Sequence, residues 1–304
     1  MAPLDPGARV YVERVNAAPP VWVVPLDEAR RGTDAETLEV FGPVDAVGSV
    51  EDRLLDGPDG PLRARIYRPD DDGPHPGVVF FHGGGWVVGS VESHDPVCRV
   101  IAARSPCVVV SVDYRLAPES RFPAAVEDAW AATAWVAEHG AELGVDGTRI
   151  AVAGDSAGGN LAAVIALRAR DRGLPLALQI LIYPVTDHDL ASPGYMHHGV
   201  GLNLTRAKME WYWGQYLDGA DGANPEASPL RAADLRGVAP ALVQTAEHDP
   251  LCYEGEEYAR LLEAAGLPVT LTRYEGQIHG FVRLGALCPR AGDALAEIAA
   301  ALRR

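Results

Sequence analysis

RIAVAGDSAGGN, residues 149–160, changes character in its middle. Its first half is a short apolar run with β-branched residues, suited to a strand buried on both faces. Its second half is built from small residues and opens a helix near Ala157. Between them stands Ser156, inside Gly-Asp-Ser-Ala-Gly, the G-x-S-x-G spacing of a nucleophile elbow. So sharp a turn strains the serine backbone, and side chains at positions 154 and 158 would collide. It raises the Ser156 hydroxyl above a sheet and sets it at a helix N-terminus, whose field favours nearby negative charge. Taken alone, the stretch also fits an ordinary strand-to-helix turn. It does not fit a phosphate loop, because GxxxxGK[ST] is missing.

Working outward, short β-branched runs recur: GVVFF, CVVVSVDY, LQILIYPV, ALVQTA and VTLTRYE. They are too continuous for half-exposed strands, whereas LRARIYRP alternates as one would. Helical patterns separate them, at about 95–104, 124–138, 157–172, 253–265 and 292–303. Strand and helix in regular alternation predict a mostly parallel central sheet with helices on both faces. Residues 187–231 break that rhythm. They carry a helical KMEWYWGQYL and no strand, which predicts an insertion over the carboxyl ends of the strands, where such folds bind ligands.

A serine hydroxyl needs a base, and the base needs an orienting group. In this class of fold the order along the chain is Ser, then Asp or Glu, then His. ALVQTA runs into Glu247-His248-Asp249-Pro250, and VTLTRYE runs into Gly276-Gln277-Ile278-His279-Gly280. Asp249, which starts the turn before Pro250, and His279 are therefore the candidate partners of Ser156. Glu247 and His248 read as solvated or supporting neighbours. His188, His197 and His198 read as polar loop residues, since no HExxH or Cys/His cluster points to a metal.

VVFFHGGGWVVGS, residues 78–90, completes the set. Three successive glycines cost a strand backbone entropy, so something must approach the backbone closely there. Attack on a carbonyl creates an oxyanion that preorganised N–H donors must reach at about 3 Å. Gly83 and Gly84, with Ala157 after the nucleophile, are the expected donors. His82 is expected to fix the loop. GGGWVVG misses the dinucleotide fingerprint because Val88 occupies the last glycine position.

The chain has 304 residues, 48% hydrophobic and 22% charged, with a formal net charge of -16. That balance argues against nucleic acid and anionic membrane as partners. No apolar run approaches the roughly 18 residues of a membrane span, and the first twenty residues lack a signal-peptide pattern. Four scattered cysteines without CxxC spacing read as free thiols of a cytoplasmic protein.

These blocks carry a resemblance. HGGGW (82–86), DYRLAPESRFPAAVEDAW (113–130), GDSAGGN (154–160), EHDPL (247–251) and IHGF (278–281) stand in the order of the hormone-sensitive-lipase-like α/β-hydrolases, which include many bacterial carboxylesterases. The resemblance implies an α/β-hydrolase fold with Ser156 as nucleophile, His279 as base and Asp249 as its orienter. It implies an oxyanion hole of Gly83, Gly84 and Ala157. It further implies a helical cap from residues 1–45 and an insertion at about 187–225, over a catalytic domain of 46–304, and a homodimer through the last strand and helix. Cys252 and Tyr253 depart from a polar pair common in that family.

Trp86, Tyr183, Met209, Tyr212 and Trp213 are candidate walls of the substrate pocket, the last three sharing a helix face by their i, i+3, i+4 spacing. The expected activity is hydrolysis of short- to medium-chain acyl esters through an acyl-enzyme, with a small-molecule ester as partner and no metal or organic cofactor. A pathway-specific amide, lactone or lactam hydrolase or a deacetylase would use the same triad. A non-catalytic small-molecule receptor is the third reading, since fold alone does not fix function.

Overall fold

The computed structural model describes residues 2–71 and 73–303. Eight strands form one sheet: β1 Ser49–Gly57, β2 Gly60–Arg68, β3 His75–Phe81, β4 Val108–Val112, β5 Val145–Asp155, β6 Leu178–Ile182, β7 Ala241–His248 and β8 Val269–Ile278. Their order is β1-β2-β4-β3-β5-β6-β7-β8. β2 runs antiparallel to β1 and β4, and every other neighbouring pair is parallel. This is the mostly parallel α/β-hydrolase sheet that the sequence predicts.

Nine helices accompany it among the described residues: α1 Pro6–Ala17, α2 Leu26–Phe41, α3 Asp95–Arg104, α4 Ala124–His139, α5 Ala157–Arg172, α6 Pro193–His198, α7 Arg206–Leu217, α8 Cys252–Ala264 and α9 Arg290–Leu302. One face of the sheet packs Val126 of α4, Leu161 of α5 and Leu262 of α8 against Val79, Val110 and Val152. The other packs Ile101 of α3 and Ile298 of α9 against Val78, Val109 and Ile180. Covered on both sides, β3 and β4 are buried along their whole length, which is why their sequences do not alternate. Each such Leu or Ile contributes roughly 1.5–3 kcal/mol by leaving water.

Two strands differ from expectation. β1 was not evident, because the consecutive charged residues Glu51, Asp52 and Arg53 break the apolar alternation; it is an edge strand joined to β2 by the short turn at Pro58-Asp59. β8, expected to be buried on both faces, is the opposite edge, and its first half stays largely exposed at Thr270, Leu271 and Arg273.

The strand order places the site. β3 leads to β4 on one side and the chain then crosses to β5 on the other, so the connections diverge from β3. The crevice beyond the carboxyl ends of two such strands is where open α/β sheets bind ligands. β3 delivers HGGGW to that crevice and β5 delivers Ser156, with Phe81 and Gly154 as register partners.

α1 and α2 are not detached from this body. Asp5 caps α1 by accepting from Gly7 N at 2.9 Å, and Pro6 takes the first helical position, where its missing N–H costs nothing. Ala8, Tyr11 and Val12 then pack with Val40 of α2 against Ile278, Leu284 and Cys288. All four cysteines are free and buried.

Candidate active site

Ser156 stands at the junction of β5 and α5 with φ 56° and ψ -119°. Non-glycine residues rarely hold such a backbone, and the surrounding structure must enforce it. Here Ser156 N donates to Ile182 O at 2.9 Å. A Cβ on Gly154 would fall 2.3 Å from the Gly158 backbone, and one on Gly158 would fall 1.9 Å from Phe81 O. Both glycines are therefore required by space.

Asp249 and His279 reach Ser156 through the register of the last two strands. His248 pairs with Ile278 across β7 and β8, so the next residue of each strand emerges side by side. His279 Nδ1 lies 2.7 Å from Asp249 Oδ2, and His279 Nε2 lies 2.8 Å from Ser156 Oγ. A carboxylate only accepts, so Nδ1 carries the proton and Nε2 presents a lone pair to the serine hydroxyl. Asp249 is fully buried and its Oδ1 accepts from Leu251 N at 2.9 Å. Ser156 and His279 each retain 8% exposure, toward the cavity described below.

The glycine loop corrects one expectation. The Gly83 N–H donates to Asp155 Oδ1 at 2.8 Å, so it is not available to an oxyanion. By contrast, Gly84 N, Gly85 N and Ala157 N have no acceptor among the described residues. All three glycines line the cavity with Ser156. Positive φ at Gly84 (124°) and Gly85 (60°) turns the chain after Gly83 and aims successive N–H groups differently. The free donors are therefore Gly84, Gly85 and Ala157.

Two residues hold that loop. His82 Nδ1 donates to Gly83 O at 2.8 Å, its ring stacks on Tyr114 at 4.2 Å, and Tyr114 Oη donates to His82 O at 2.7 Å. Burial pushes the His82 imidazole down to about 3, which keeps it neutral. Asp155 anchors the other side: His94 Nε2 lies 3.0 Å from its Oδ1, and Tyr183 Oη donates to Oδ2 at 3.3 Å. Burial pushes this carboxyl up, but His94, Arg283 and the Gly83 N–H outweigh it and hold it below the usual carboxylate range.

A cavity of about 460 Å³ opens over Ser156. Met209 and Tyr212 of α7 line it, as do Tyr11 and Glu36 of the N-terminal helices and Asn203, Lys208 and Arg283. Three expected walls lie elsewhere. Trp86 is fully buried, stacked on Tyr216 at 4.2 Å and tilted against Trp213 at 4.5 Å, so this pair braces the glycine loop against α7. Tyr183 sits edge-on to the His279 ring at 4.8 Å and supports that ring from outside the cavity. The shared helix face of α7 thus divides, with Trp213 turned to the core and Tyr212 to the cavity.

Glu247 and His248, expected to be solvated or supporting neighbours, tie the first residues to the triad loops. Glu247 Oε1 accepts from Ala2 N and its Oε2 from Gly276 N, both at 2.8 Å, and His248 Nε2 donates to Ala2 O at 2.9 Å. His188 lies edge-on to Trp213, and His197 and His198 belong to α6. Among the described residues no three His, Cys, Asp or Glu side chains gather as metal ligands, and no helix is long and apolar enough to cross a membrane.

Residues 78–283 match the alpha/beta hydrolase fold family. The chain is 46% identical over 264 residues to esterase LipI of Mycobacterium tuberculosis, covering 84% of this chain and 81% of that protein. It is 38% identical over 314 residues to an ethyl acetate hydrolase of Pseudomonas putida, covering 99% of both. Among solved structures, a hyperthermophilic esterase from the archaeon Pyrobaculum calidifontis superposes with a TM-score of 0.91 at 44% identity, covering 99% of this chain and 98% of that one.

Proposed function

This chain belongs to the alpha/beta hydrolase family, in its hormone-sensitive-lipase-like group, and is a carboxylic ester hydrolase; from that premise we propose that it cleaves short- to medium-chain acyl esters through Ser156, His279 and Asp249. The observation that carries the reading is the unbroken relay from Asp249 to His279 to Ser156, with links of 2.7 and 2.8 Å.

In this mechanism Ser156 Oγ attacks the ester carbonyl while His279 Nε2 takes its proton. The imidazolium that forms is balanced by Asp249, which also holds the ring in the required tautomer. The carbonyl oxygen, now negative, meets the N–H groups of Gly84, Gly85 and Ala157, which a water-excluding wall makes stronger than they would be in solvent. His279 returns the proton to the leaving alkoxide as the C–O bond breaks. Water then attacks the acyl-enzyme by the same route and releases the acid.

The short- to medium-chain preference rests on the limited size of the cavity, about 460 Å³. Residues 1–45 and 187–225 act as its cap, supplying Tyr11, Glu36, Asn203, Lys208, Met209 and Tyr212. A series of p-nitrophenyl esters from acetyl to dodecanoyl tests the reading. Turnover is expected to peak below octanoyl and to vanish in Ser156→Ala. An optimum at dodecanoyl, or activity surviving in Ser156→Ala, overturns it.

A further inference from the structure

The chain carries 42 acidic residues against 26 basic ones, and a single lysine among the latter. With acid in such excess, a cation without a carboxylate partner is conspicuous. Two of these line the cavity over Ser156. Lys208 Nζ donates to Asn203 O at 2.6 Å and Arg283 Nη1 donates to Thr37 Oγ1 at 3.1 Å. Among the described residues neither has a carboxylate within 4 Å, although most of the arginines are ion-paired. An ammonium has three donors and a guanidinium five, so most of their capacity is unspent.

The acids of the same cavity are already engaged. Glu36 Oε2 accepts from Tyr11 Oη at 3.0 Å and its other oxygen lies 3.8 Å from Arg14 Nε. Asp155 is hydrogen-bonded by Gly83 N and His94, and Arg283 acts on its charge only from beyond direct contact. Arg14, the third cation of the wall, is paired with Glu39 at 2.9 Å. Burial lowers the Lys208 ammonium from its ordinary value, against only a distant pull from Glu36, as happens to a cation short of counter-charge.

Resting on the esterase reading above, we propose that the cavity selects esters bearing a carboxylate, which Lys208 and Arg283 receive while Ser156 attacks the ester carbonyl. The substrate's carboxylate supplies the counter-charge that Lys208 lacks and a direct partner for Arg283, which Asp155 and Glu36 balance only from a distance. Hydrolysis is otherwise unchanged: water adds across the ester bond, and a carboxylic acid and an alcohol leave. A half-buried charge whose partner arrives with the ligand contributes to discrimination more than to affinity, because the neutral analogue leaves it unpaired.

Two matched pairs test this. Monoethyl succinate against ethyl 4-methylpentanoate places the charge on the acyl side, and 3-acetoxypropanoate against 3-methylbutyl acetate places it on the alcohol side. In Lys208→Met the anionic-to-neutral ratio of kcat/KM is expected to fall about tenfold or more for at least one pair, and in Lys208→Arg to stay within about threefold of wild type. Calorimetric Kd values for the same four esters on Ser156→Ala, with and without Lys208→Met, give the ratio without turnover. A ratio unmoved by Lys208→Met in both measurements, for both pairs, overturns the proposal. If none of the four esters is turned over by the wild type, the esterase reading falls instead, and the Kd ratios still decide the role of Lys208.

Discussion

The Gly83 N–H donates to the Asp155 carboxylate at 2.8 Å, joining the loop after β3 to the residue just before the nucleophile. One hydrogen bond thereby sets how far the donors at Gly84 and Gly85 stand from Ser156. Gly83 N–H and His94 both meet Asp155 Oδ1, and a neutral amide in place of the carboxylate loses the charge that strengthens both bonds, even where its N–H turns to the Tyr183 hydroxyl. Asp155→Asn is expected to lower kcat at least tenfold with KM changing less than threefold, since misplacing one oxyanion donor costs up to 10²–10³. Steady-state kinetics decides it, and an unaltered kcat sinks the idea that this bond spaces the hole.

In the proposed mechanism Asp249 acts through His279 and never touches the ester, while its other oxygen accepts from Leu251 N. Asp249→Asn puts a donor where His279 Nδ1 needs an acceptor, which favours the wrong tautomer. By the magnitude known for serine proteases, kcat is expected to fall about 10⁴-fold with the fold intact. Circular dichroism beside the kinetics separates this from unfolding. A loss below tenfold would remove Asp249 from its assigned role.

Glu247 bridges Ala2 and Gly276, so it links the N-terminal residues to the end of β8, the strand that leads into His279. Glu247→Ala leaves two N–H groups without this acceptor, at about 1–3 kcal/mol for each one that stays buried. Hydrogen exchange is expected to quicken at Gly276 and through α1, and the melting temperature to drop. Unchanged exchange at both places would mean that the bridge holds nothing.

Glu254 offers a test by pH. Burial raises its carboxyl well above 4.5, the charges of Asp187 and Asp249 add to this, and the N–H groups of Thr186 and Asp187 oppose it only in part. The folded state therefore keeps a proton that the unfolded chain releases, and stability falls as pH climbs above about 4.5. Glu254→Gln cannot lose that proton. The melting temperature of the variant minus that of wild type should rise between pH 5 and pH 9, and a flat difference would show that Glu254 ionises freely when folded.

Much of this was legible in the chain. α3 and α5 begin and end where their patterns do, because helix and strand runs change period there. The order Ser156, Asp249, His279 followed from which strands end in polar loops. Three identical glycines, however, carry no sign of which N–H is free. That depends on the positive φ of Gly84 and Gly85 and on Asp155, 72 residues away. The cavity's far wall was hidden for a similar reason, since α1 and α2 reach it by tertiary contact and their sequences hold only a weak amphipathic pattern. Lys208 had one signal, its being the only lysine, and composition alone gave that no meaning.

The register pair Phe81 and Gly154 has a consequence for how such an enzyme can diversify. Hydrogen-bonded neighbours in a sheet are held about 4.8 Å apart whatever their side chains, so the strand ends that carry Ser156 and the glycine loop are spaced by backbone geometry, and the Asp155 bond then fixes the loop beyond them. The wall facing them comes from separate helices that share no strand with the chemistry. Substitutions at its cavity-facing positions, away from the Trp213 and Tyr216 that brace the glycine loop, can redirect selectivity while the reacting centre keeps its dimensions, and random libraries confined to Tyr11, Glu36, Met209 and Tyr212 should retain far more active clones than libraries of equal size in the strands.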